Sequence, residues 1–337
     1  MEYEVKQLLK PALYSDIINI SENDFSKFKN KTVLITGAGE LLGFYLACAF
    51  LVNNDINSTE TKIIAVDKSD NIFKQYGKLT YRNDIEFVVS DNYSNLSNVS
   101  ADLVIHTNKP ENDIETTGIL EFIKSNNASA VVCSYSDVYG DVYNGKDTIS
   151  EYDMGYCDCY NPEYKSIQMQ RNLESAAIAL AKKNDLDIKI ARVCRVFGYH
   201  GFSENDRFAK VFSDVVNKHN IVINKDDNLL VESYIYVTDA ATALIKILCG
   251  GKKAKIYNVS SDFAASVHVL AKYCVKIFSD SAIKIVYKDK LKTLSPMSVT
   301  LKILENTKLK SIGFEPKVDL QDGIVQSVKI LLEEKNK

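Results

Sequence analysis

The chain has 337 residues, 46% of them hydrophobic and 25% charged, enough to bury a full core in one large domain or two. A net charge of −3 and a pI near 5.9 argue against nucleic acid or anionic lipid as a partner. The amino terminus has no apolar leader segment, and the longest apolar run, 41–52, falls short of the ~20 residues of a membrane span.

In chain order, a helical extension is expected before Lys31, packed on the domain edge. Short β-rich runs at 32–36, 62–67, 85–90, 102–106, 130–134 and 188–191 then read as buried strands. Helices at 41–53, 116–125 and 166–184 lie between them. This alternation predicts an α/β fold, a Rossmann-type doubly wound parallel sheet over 31–198. From 199 to 337 the pattern loosens. Helix 207–219, strand 221–224, helix 238–248, strand 255–259 and a final helix near 322–334 predict a smaller, mainly substrate-binding domain, with some segments returning to the sheet. Ligands are expected at the carboxyl ends of the strands, where the strand order reverses.

The first strand runs into Gly37-Ala38-Gly39-Glu40-Leu41-Leu42-Gly43 and then into an apolar helix. A glycine at the strand end permits the tight turn, Gly43 permits close helix–strand packing, and the helix amides face a pyrophosphate. Asp67 ends the second strand, where a carboxylate accepts from adenosine ribose hydroxyls and repels a 2′-phosphate. NAD is therefore the expected cofactor, a preference that the following Lys68 weakens.

These residues carry a resemblance. Thr36 through Gly43 resembles the TGxxGxxG turn of the extended short-chain dehydrogenase/reductases, the NAD-dependent nucleotide-sugar epimerases and dehydratases. Ser134-Tyr135-Ser136-Asp137-Val138-Tyr139-Gly140 resembles their SSxxVYG segment, and Arg192 through Gly198 their RxxNxYG. Tyr234 through Asp239 resembles F-I-Y-V-x-D, and Ile256-Tyr257-Asn258-Val259 resembles V-Y-N-V. Asn306-Thr307-Lys308, Gly313-Phe314-Glu315-Pro316 and Gly323-Ile324 are similar to the carboxyl-terminal signature. The likeness covers nearly the whole chain and is nearest to UDP-glucuronate decarboxylase and sugar 4,6-dehydratase relatives. It implies that Asp91 contacts the adenine, that His106, Thr107 and Asn108 line the cofactor, and that the second ligand is a nucleotide sugar. It also implies a homodimer.

The resemblance implies a mechanism in which a tyrosine deprotonates a sugar hydroxyl, a lysine four residues later lowers that tyrosine's pKa, and a Ser or Thr of SSxxVYG completes the hydrogen bonding. The Tyr-Lys pair is missing here. One alignment keeps Tyr164 with Gln168 four residues on. The other, preferred because it needs no gap, anchors on Asn161-Pro162 and puts Ser166 at the tyrosine and Gln170 at the lysine. An unassisted tyrosine with a pKa near 10 is ionised in roughly one molecule in a thousand at pH 7. Other departures gather around the same cleft. Tyr135 stands where the catalytic Ser or Thr belongs, flanked by Ser134 and Ser136. Glu40 replaces the middle glycine of the turn. Glu232 stands where an arginine usually meets the substrate diphosphate, and the stretch from His106 to Gly118 is short.

Two readings follow. One is an NAD-dependent nucleotide-sugar enzyme working by a variant mechanism, with Tyr164 or Tyr135 as base. The other, which the departures favour, is a non-catalytic binding or partner module retaining the fold. Arg207 is a candidate for the substrate phosphate, with a helix-start ion pair to Asp206 or Glu204 as the alternative. Tyr139 and Tyr143 are expected to fill core, and the lysines from Lys284 to Lys310 to form a solvated face. Seven scattered cysteines and four dispersed histidines suit a reducing, cytoplasmic compartment and predict no metal site.

Overall fold

The structure is a computed structural model that describes residues 4–142, 147–199, 207–224, 230–278, 283–288 and 301–335. Strands β1 (Thr32–Thr36), β2 (Lys62–Asp67), β3 (Ile85–Val89), β4 (Leu103–His106), β5 (Ser129–Tyr135) and β6 (Ile188–Val193) pair in parallel, as does the later β10 (Ile256–Val259). Their order, β10-β6-β5-β4-β1-β2-β3, reverses direction between β1 and β4. This is the Rossmann arrangement, and the reversal opens a crevice at the carboxyl ends of those two strands. The centre of the sheet reads as continuous apolar runs because helices cover both faces; Val33, Leu34 and Ile35 of β1 are wholly buried.

Helices α1 (Val5–Leu8) and α2 (Pro11–Ser21) form the amino-terminal extension. They are followed by α3 (Leu41–Asn57), the short α4 (Asn71–Tyr76), α5 (Asp113–Asn126) and α6 (Lys165–Asn184). Every residue from Leu42 to Asn53 of α3 is buried. A helix apolar all round cannot lie at a surface, and the extension is part of what covers it. α5 starts with an N-cap: Asn112 Oδ1 accepts from the Glu115 amide at 3.0 Å, and Asn112 Nδ2 donates to Glu115 Oε1 at 2.9 Å. This start leaves only 107–112 between β4 and α5.

After β6 the chain leaves the main sheet. A second sheet holds β7 (Arg195–Phe197), β9 (Val231–Tyr236), β11 (Phe263–Ala265) and β13 (Leu301–Lys302), with β11 antiparallel to β9. β8 (Ile221–Asn224) pairs with β12 (Ile285–Lys288). The remaining helices are α7 (Arg207–Val216), α8 (Val237–Gly250), α9 (Val267–Phe278), α10 (Thr307–Lys310) and α11 (Leu320–Lys335). Strand 255–259 and helix 238–248 are segments of 199–337 that return to the main sheet: β10 is its seventh strand, and α8 packs on β5 and β6. Among the described residues no helix is long and apolar enough to cross a membrane, and no group of three or more His, Cys, Asp or Glu gathers as around a metal ion.

Candidate functional site

The crevice between β1 and β4 widens into a cleft of about 780 Å³. Its first wall is the turn from β1 into α3. Gly37 has φ +64°, and a Cβ there would stand 2.5 Å from Thr107 Oγ1. At Gly43 a Cβ would stand 2.1 Å from the Gly37 carbonyl oxygen, so only glycine lets the helix close on the strand. The first amides of α3 have no partner within the helix. Glu40, the residue before it, does not cap them with its side chain, and Leu41 and Leu42 face the cleft. A helix amino terminus opening on a cleft in this way suits an anion. Asp67 accepts from the Gly39 amide at 2.8 Å and the Ser69 amide at 3.2 Å. It lines the cleft with acceptor capacity to spare, because a carboxylate takes about four hydrogen bonds.

The opposite wall is the end of β4. Thr107 donates from Oγ1 to the Thr36 carbonyl at 2.6 Å, and Thr36 Oγ1 lies 2.8 Å from His106 Nδ1. Burial holds the imidazole pKa down to about 3, aided by the Lys68 charge, so His106 is neutral. It ties two strands together and does not face the cleft; Thr107 and Asn108 do. Asp91 is exposed and lies outside the cleft lining. Lys68 crosses the mouth of the cleft to Glu111 and Glu115, at 2.9 Å each.

The floor is where the catalytic groups were expected. Ser134 is wholly buried and donates to Glu174, which also pairs through both oxygens with Arg192 at 2.9 and 2.7 Å. Ser136 is buried too. Gln170 is wholly buried, and its Oε1 accepts from the Tyr135 amide at 2.8 Å. Its amide nitrogen turns back to Ser166, 3.3 Å from the carbonyl oxygen and 3.4 Å from Oγ. Tyr164 donates to Asp141, and that bond raises its pKa, with burial adding to it. None of Ser134, Ser136, Tyr164, Ser166 and Gln170 lines the cleft. Tyr135 does, but its hydroxyl donates to the Thr107 carbonyl at 2.5 Å, and burial drives its pKa well up.

Glu232, in β9, lines the cleft as expected, yet it is 4% exposed and accepts from Arg195 Nε at 3.1 Å. Arg195 also donates to Asp137 at 2.9 and 3.4 Å. Lys109 Nζ stands 4.5 Å from the centre of the Tyr135 ring and 3.6 Å from Asp137 Oδ2, while Lys302 Nζ is 3.9 Å from Asp137. Three cations thus meet two carboxylates at the inner end of the cleft. The sequence reading missed Arg195 and Lys109. Arg195 occupies the Asn position of the RxxNxYG pattern, a signal legible in the motif; Lys109 directly follows His106-Thr107-Asn108. The Arg207 side chain, Tyr143, Glu204 and Asp206 lie outside the described residues.

Compared with known proteins, residues 33–260 match the model of the NAD dependent epimerase/dehydratase family. The chain belongs to that family. Human dTDP-D-glucose 4,6-dehydratase is 22% identical over 143 residues, 42% of this chain and 40% of that protein, so the match spans less than half of the relative's length. Two solved family structures extend the likeness in fold. The dTDP-glucose 4,6-dehydratase of Bacillus anthracis, in complex with NAD, has a TM-score of 0.76 at 16% identity, covering 91% of this chain and 98% of that one. An epimerase from Methanothermobacter thermautotrophicus has a TM-score of 0.77 at 16% identity, covering 97% and 98%. Gly37 and Gly43 keep the first and last glycines of the turn, and Glu40 stands at the middle one. Gln170 is buried outside the cleft lining, and Arg195, which lines the cleft, is ion-paired to Asp137 and Glu232.

Proposed function

We propose that this chain binds NAD and a nucleotide sugar in the cleft but is impaired in the family's oxidative chemistry, and acts as a ligand-binding module in nucleotide-sugar metabolism. The observation that carries this is Gln170. It stands at the lysine position of the preferred alignment, is wholly buried, and spends its side chain on the Tyr135 amide. Position 170 therefore offers no cation to depress a phenol's pKa. The two phenols proposed as base are hydrogen-bonded to Asp141 and to the Thr107 carbonyl, and both pKa values lie above that of free tyrosine. A base held protonated at pH 7 forfeits much of the hundredfold to ten-thousandfold that general-base catalysis contributes.

Binding is favoured by the features that the chemistry lacks. The open glycine turn and the uncapped amides of α3 suit a pyrophosphate, and NAD supplies the hydride acceptor when bound. Asp67 favours NAD over NADP, and Lys68, engaged by Glu111 and Glu115, is not free to greet a 2′-phosphate. Glu40 beside the pyrophosphate and the missing lysine weaken the grip by about tenfold to a hundredfold relative to a member with both features intact. We further propose a homodimer in a cytoplasmic, reducing compartment, where the seven free cysteines are at home.

Calorimetric titration with NAD, NADP and UDP- or dTDP-sugars, beside a product assay, tests the proposal. NAD should bind in an Asp67-dependent way, with no 4,6-dehydration or decarboxylation at about 1 per second or faster. Turnover at that rate would restore the enzyme reading, and tight NADP binding would overturn the cofactor.

A further inference from the structure

Three cations stand at the inner end of the cleft, and they are not equivalent. Arg195 is neutralised by Glu232 on one side and Asp137 on the other. Lys302 lies behind Asp137 and is 16% exposed. Lys109 is different. It leaves the β4 wall, opposite the glycine turn, and its side chain is 42% exposed to the cleft. Its closest carboxylate oxygen, on Asp137, is 3.6 Å away, beyond hydrogen-bonding distance, and is shared with Arg195. The ammonium is held by this longer ion pair and by the face of Tyr135, whose ring is braced by the bond from its hydroxyl to the Thr107 carbonyl. Lys109 is thus a preset cation with donors to spare, on the wall facing Glu40 and the α3 amino terminus.

We propose that Lys109 grips the nicotinamide-side half of the bound dinucleotide, supplying from the β4 wall the cation that position 170 lacks. The inference rests on the reading that the cleft holds NAD. It assigns the Lys109 ammonium to an oxygen beyond the adenosine monophosphate half, because Asp67 and Lys68 already flank the adenosine end. It also gives Tyr135 a part: its ring sets the height of the ammonium, which a serine or threonine at that position could not do.

The test is a ladder of ligands on the full chain. Calorimetry with NAD and ADP-ribose, and ligand-observed NMR with AMP, would be run on wild type, Lys109→Met and Lys109→Arg. Lys109→Gln serves as a second neutral variant, and melting temperatures check the fold. Loss of one charge-assisted hydrogen bond should weaken NAD and ADP-ribose about tenfold to a hundredfold. AMP binding should be unchanged, and Lys109→Arg should keep most of the affinity. If wild type and both neutral variants bind NAD equally, or AMP weakens in step with NAD, the inference is overturned while the cofactor reading stands. If wild type binds no NAD at all, the cofactor reading falls and takes the inference with it.

Discussion

Arg192 opens the RxxNxYG motif, and its guanidinium is spent on structure. Both it and Glu174 are buried; they join through two hydrogen bonds, with Ser134 donating to the same carboxylate. Breaking such a pair strands a buried charge, so Arg192→Leu should lower unfolding free energy by about 3–5 kcal/mol in urea titration. Other motif residues act likewise. Asn258 donates to the carbonyls of Ile149 and Glu305, both at 3.0 Å, and accepts from Tyr139 at 2.5 Å. Asp239 accepts from the amides of Lys317 and Val318 at 3.0 and 2.9 Å. These residues tie distant loops to the sheet, so their place in the signatures is structural. The same logic predicts that a lysine cannot simply be put back. Gln170→Lys would bury a charge and orphan the Tyr135 amide, which alone costs roughly 1–3 kcal/mol. A lower melting temperature without recovered turnover is the expected result, and a stable, active variant would contradict it.

At the scale of elements, the amino-terminal extension is more than a cover for α3. Its helix α2 carries Asp16, 2% exposed, which accepts from the hydroxyls of Tyr45 in α3 and Tyr236 at the end of β9, at 2.9 and 2.7 Å. One carboxylate thus joins the extension, the dinucleotide helix and the second sheet. Burial raises its pKa to about 6; the two phenols oppose that shift and the Asp239 charge adds to it. The folded value lies above the unfolded one, so the stabilisation is complete below about pH 3.9 and is lost as pH rises through 6. Asp16→Asn should remove this dependence. The difference in unfolding free energy between wild type and variant should shift by up to about 3 kcal/mol between pH 4 and pH 8, with wild type relatively better at the acid end. Equal pH profiles for the two proteins would refute the assignment.

At the scale of the whole molecule, the main sheet is completed by chain that comes after β9 of the second sheet, since β10 lies beside β6. Truncation after β6 would leave that edge of the sheet, and the α8 packing on β5 and β6, unmade, so the first 198 residues alone should not yield a stable fold. Far-ultraviolet circular dichroism with thermal melting of that fragment checks this; a cooperative melt near that of the full chain would count against it. The expected homodimer is a separate matter. Light scattering should give twice the 37.8 kDa chain mass, and a monomer across a wide concentration range would exclude it.

The division between what was legible and what was not follows range along the chain. β1, the glycine turn, α3 and Asp67 could be read directly because their meaning is local: an apolar run of strand length, a turn that only glycine permits, and a helix following at once. The parallel fold was legible for a related reason, since strands buried on both faces must be apolar throughout. The state of the cleft floor was not. Lys109 comes from the β4 loop, Tyr135 and Asp137 from the end of β5 and the turn after it, Arg195 from β7, Glu232 from β9 and Lys302 from β13. Whether a carboxylate among them repels a ligand or is neutralised depends on distances of 3 to 4 Å between segments far apart in sequence. The sequence by itself determined that a dinucleotide turn exists and that the Tyr-Lys pair does not. Only the tertiary structure decided that Glu232 is paired, that Gln170 is spent on backbone, and that Lys109 lines the cleft over the Tyr135 ring, because charge pairing and burial are set by packing in three dimensions.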